Sequence, residues 1–141
     1  MIQRIQTLWL LLATAAAGSM FFLPVYGVKM QDSTFKNFIV SASYPLFILV
    51  IALALLPLLT IFLFKKRSLQ MKLTWLGILL AILTAFIVYL KAGDFAAHFN
   101  AGSSSYKIAA AMPVVTMVFL FLAFRKIRSD EKMVRSVDRL R

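Results

Sequence analysis

The chain has no cysteine, one histidine and only five acidic residues among 141. Without cysteine there are no disulfides, thiolate metal sites or cysteine nucleophiles, and the redox compartment stays open. The acids and the single imidazole that remain leave little from which to build a catalytic centre. A G-x-S-x-G elbow, a phosphate-binding glycine loop, paired carboxylates and an H-E-x-x-H helix are all missing. Charge in general is scarce, at 15% against roughly a quarter in soluble domains. What fills the chain instead is apolar: 62% hydrophobic residues and a mean hydropathy of +0.87. That composition points to one compact membrane domain over residues 1–141.

Four apolar runs are legible, at about residues 5–25, 38–64, 73–90 and 108–124, and none contains Asp, Glu, Lys, Arg or His. Roughly 20 helical residues cross a hydrocarbon core of about 30 Å, so each run is long enough or nearly so. Helix is the expected conformer, because lone strands leave backbone groups unpaired in lipid and barrel-type alternation is missing. The second run is over-long and is expected to tilt, or to bend near Pro57. The first has a rival reading as a cleaved signal, since Arg4 precedes it and small residues occupy Ala13 to Ser19; its continuation to Tyr26 exceeds a usual signal core.

Lys and Arg divide unequally between the two ends of these runs. Arg4, the connector Lys65, Lys66, Arg67 and Lys72, and seven basic residues from Arg125 to Arg141 share one side, against Lys29, Lys36, Lys91 and Lys107 on the other. Twelve against four places both termini in the cytoplasm by the positive-inside rule. Tyr26, Tyr44, Tyr89 and Tyr106 mark the outer boundary, and Trp9 and Trp75 the inner one. The net charge of +11 is thereby read as orientation and attraction to anionic headgroups, with no nucleic-acid partner expected.

Within the spans the polar residues are hydroxyls, among them Thr14, Ser19, Thr60, Thr74, Thr84 and Thr116. They are expected to bond to their own preceding turn or across helices. Without an ionisable group, a proton- or sodium-coupled route through one copy is disfavoured. Ala13 and Ala17, and Thr14 and Gly18, are spaced four apart and mark a close-packed face of the first helix, either inside the protein or against a second copy. Of the outer loops, Gly27 to Asn37 reads as a connector. Lys91 to Lys107 carries Asp94 and His98 four apart, too few for a metal site, and Phe95 and Phe99 suggest a short interfacial helix before a flexible "AGSSS".

The last segment, from Arg125 to Arg141, concentrates charge. On a helix Arg128, Lys132, Arg135 and Arg139 fall on one stripe and Met133, Val134, Val137 and Leu140 on another, with Glu131 spaced to pair with Arg135. This amphipathic segment is expected to contact anionic lipid or to dock on a protein partner.

"MIQRIQTLWLLLA", four spans with a basic middle connector, and "RSDEKMVRSVDRLR" together resemble the family called domain of unknown function 4293 over essentially the whole chain. The resemblance implies a small four-span protein of the inner membrane of Bacteroidota bacteria, and it brings no catalytic pattern. The expectation is therefore an all-α, integral membrane four-helix bundle with both termini and an amphipathic helix in the cytoplasm. Its expected work is non-catalytic and needs no cofactor or metal: an accessory subunit or assembly partner of a membrane complex, or a homo-oligomer. A carrier for an uncharged or lipidic solute and a lipid-acting enzyme near Asp94 and His98 are the alternatives.

Overall fold

The computed structural model describes residues 2–30, 34–63, 66–99 and 103–138, with side chains from residue 5 to residue 134. The chain is mostly helical. Helix α1 spans Ile2–Ser19, α2 Tyr44–Phe62, α3 Arg67–His98 and α4 Met112–Asp138. Pro45 and Pro113 sit in the first turns of α2 and α4, where a missing N–H costs nothing. Among these helices α1 packs against α2 and α4, and α3 packs against the same two.

The core forms three successive layers. Nearest the α2–α3 connection, Leu10 and Ala13 meet Ile78, Leu120 and Ala123. In the middle Ala17, Leu53 and Ala81 pack together. At the far end Met20, Leu46, Val50, Val88 and Ala92 join residues of a sheet. Apolar side chains also cover the outside, among them Leu11, Ile48, Leu55, Leu79, Phe86 and Phe121, as a lipid-facing surface requires. Three helical runs, Tyr44–Phe62, Arg67–His98 and Ile108–Val134, are long and apolar enough to cross a membrane; the apolar part of α1, Ile5–Ser19, is shorter.

The all-α expectation fails at one end. Strands β1 (Tyr26–Lys29), β2 (Phe35–Phe38) and β3 (Ser103–Tyr106) form an antiparallel sheet in the order β2-β1-β3. Tyr26 lies opposite both Phe38 and Tyr106, and Lys29 opposite Phe35 and Ser103. Thus the Gly27 to Asn37 connector is a hairpin, and Ser103 to Ser105, expected to be flexible, are an edge strand. Helix α1 stops at Ser19 because Met20 and Phe21 close three-residue turns onto Ala17 and Gly18, after which Pro24 precedes extended chain. The over-long second run is likewise divided, into the end of β2, a short 3₁₀ turn at Val40–Ala42 and α2, which keeps Pro57 inside the helix. Of the residues "DFAAHF", Asp94 to His98 are helical, but as the end of α3 rather than a separate interfacial helix, and Phe99 caps it. Phe95 there packs against Phe38 at 5.3 Å, tying helix to sheet.

Candidate functional site

At the α2–α3 end a buried polar layer joins three helices. Gln70 on α3 is 1% exposed; its Oε1 accepts a 2.9 Å hydrogen bond from Nε2 of Gln6 on α1, and its own Nε2 donates to the Thr60 carbonyl of α2 at 3.3 Å. One turn nearer the end, the Arg67 guanidinium donates to the backbone carbonyl of Asp130 on α4 at 3.1 Å, so the fourth helix is held there as well. Buried amides are stable only when paired, and here each is. Trp9 stacks on Phe119 one turn deeper, and its buried Nε1 has no hydrogen-bond partner among the described residues.

Above this layer α4 continues without a break, so the basic tail as far as Asp138 is the same helix as the last apolar run. Ala123, Ile127 and Asp130 form its buried seam, and Val134 continues that line one turn past the level at which α3 begins, 44% exposed beside Met133 at 47%. The opposite flank lines a cleft of about 240 Å³ against α3, formed by Ser68 and Met71 on one side and Arg128, Glu131 and Lys132 on the other. Of the tail residues singled out by periodicity, Arg128 and Lys132 share the cleft and Met133 lies on the exposed apolar flank. Arg135 and Val137 are within α4 with side chains outside the described residues, and Arg139 and Leu140 lie outside them altogether.

The sheet end offers less chemistry. Asp94 pairs with Lys91 at 3.1 Å, not with His98, whose ring stands edge-on to Phe99. Among the described residues no group of three metal-ligating side chains occurs. An open groove of about 360 Å³ is lined by Tyr89, Tyr106 and Lys107 together with Ala85, Ala110 and Ala111. Loss of surrounding water, then the neighbouring Tyr26 and Tyr89 phenols, raises the Tyr106 hydroxyl above its ordinary pKa, so it stays protonated and can donate.

The span hydroxyls turn inward on their own helices. Thr14, Ser19, Thr60, Thr74, Thr84 and Thr116 each donate to a carbonyl three or four residues back, at 2.7–3.0 Å. In the small-residue stripe Ala13 and Ala17 are fully buried, whereas a Cβ at Gly18 would meet nothing within 4 Å. The Gln6–Gln70 pair escaped sequence reasoning, which scanned the runs for charge and hydroxyls. The available signal was an amide beside an apolar run at Gln6 and again at Gln70, the latter between Leu69 and Met71.

A family model, described as Domain of unknown function (DUF4293), matches residues 2–140. No curated protein and no solved structure matches the chain.

Proposed function

The chain belongs to the DUF4293 family, a premise that carries no activity with it, and we propose on the geometry that it is a non-catalytic accessory subunit or assembly partner of a larger membrane complex. In this reading all four helices span the bacterial inner membrane as a bundle, with the Arg67 and α4-tail end in the cytoplasm and the sheet outside. The charge asymmetry and the aromatic boundaries support that orientation.

The observation that carries the proposal is the extension of α4. A helix whose seam runs on past the start of α3, with Met133 and Val134 exposed in a basic surround, is suited to an apolar groove with an acidic rim on a partner. A carrier is less well supported, because the hydroxyls that could line a path are spent on their own helices. An enzyme at Asp94 and His98 is weakened by the Lys91 pairing.

The test is a photoreactive side chain at Met133, irradiated in native membranes. One protein adduct of discrete mass, with that same protein co-purifying at a fixed ratio in mild detergent, is the expected result. Lipid adducts alone would overturn the docking role.

A further inference from the structure

The cleft between α3 and α4 is small, concave and basic, and it sits at a particular depth. Ser68 and Met71 line it from α3, and Arg128 and Lys132 line it from α4 one turn apart. One turn toward the apolar zone, Trp75 on α3 and Phe124 on α4 meet edge to face at 5.8 Å, with Trp75 51% exposed. An indole so exposed beside apolar surface belongs at headgroup level. Two cations just outside such a pair stand where lipid phosphates lie. The volume, about 240 Å³, falls short of the roughly 300–1,000 Å³ of small-molecule pockets and suits a headgroup.

We propose that this cleft binds the headgroup of an anionic phospholipid, with Arg128 and Lys132 on its phosphate diester and its acyl chains running past Trp75 and Phe124. The inference rests on the membrane placement proposed above but not on the docking partner. Arg128 supplies a planar fork that holds two phosphate oxygens, and Lys132 a point charge. Ser68 offers a hydroxyl donor in the first turn of α3, whose N-cap, Lys66, provides no side-chain cap. Glu131 shares the lining and leaves it one net positive charge, which favours a singly charged diester over a doubly charged monoester. The two flanks of the tail thereby divide their work: the basic flank holds lipid and fixes the angle of α4, and the flank of Met133 and Val134 faces the protein partner.

The full chain in neutral detergent micelles is titrated with phosphatidylglycerol, phosphatidylcholine or inorganic phosphate and read by native mass spectrometry. Phosphatidylglycerol is expected to saturate at one tightly held molecule, and phosphatidylcholine and millimolar phosphate neither to match nor to displace it. Lys132→Gln should weaken retention about fivefold and Arg128→Gln with Lys132→Gln about thirtyfold, at the value of one cation beside an anionic headgroup. Lys126→Gln, which removes the same charge outside the cleft, should change nothing. Ser68→Leu, which fills the cleft at constant charge, should abolish the tight site, and it decides the matter if the double variant does not fold. Equal binding of phosphatidylcholine, displacement by phosphate, or an equal loss in Lys126→Gln would overturn the site. Since the assay uses isolated protein, a failed crosslink at Met133 would sink the docking role and leave this result standing.

Discussion

Gln70 couples α1 to α2 through a single amide, accepting from Gln6 and donating to the Thr60 carbonyl. Removing one partner leaves the other buried and unpaired, at about 1–3 kcal/mol, whereas removing both can be nearly neutral. Gln70→Leu alone is therefore expected to lower the melting temperature in detergent, and Gln6→Leu with Gln70→Leu to recover at least half of the loss. Additive losses would show that the two amides are not coupled. The Lys91–Asp94 pair is a contrast at the same scale: both side chains are substantially exposed, and such pairs contribute little.

Among the elements, β1 bears the most consequence. It has a neighbour on each side, its Val28 is fully buried, and the sheet covers the end of α3 through Phe38 and Phe95. Its pairings join the chain after α1 to the chain before α4, so the sheet ties that end of the helices together. A charge at Val28 would be buried without a partner, costing several kcal/mol, whereas the serines of the edge strand β3 are exposed. Val28→Asp should abolish a cooperative melt or the accumulation of folded protein, and Ser104→Asp should leave both near wild type. Equal tolerance of the two would mean that the sheet is not part of the folding unit. This sheet was hidden from periodicity because its strands are four residues each and two of them border long apolar runs. Tyr26 and Phe38 were read as ends of helices, and the pairing that claims them joins distant segments.

For the molecule as a whole, the orientation is testable with little background, since the chain has no cysteine to label. Ser104→Cys on the sheet and Ser129→Cys on the α4 extension are both exposed. In intact inner-membrane spheroplasts a membrane-impermeant maleimide should label Ser104→Cys and reach Ser129→Cys only after permeabilisation. The opposite pattern would invert the topology and place the basic cleft outside.

Hydropathy and charge are properties of each residue in turn, and for that reason the amino-acid sequence alone determined the four apolar helices, the uneven basic ends, the aromatic boundaries and the helical tail. A long apolar stretch in lipid must pair its own backbone groups, and a helix does so within the one segment. Only the tertiary structure decided which polar residues meet. Gln6 finds Gln70 across 64 positions, Tyr26 stands between Phe38 and Tyr106, and Arg128 and Lys132 become walls of a cleft because α3 begins beside them. Those contacts depend on the register between distant segments, and register is set by the packing of the whole chain rather than by the pattern of any one part.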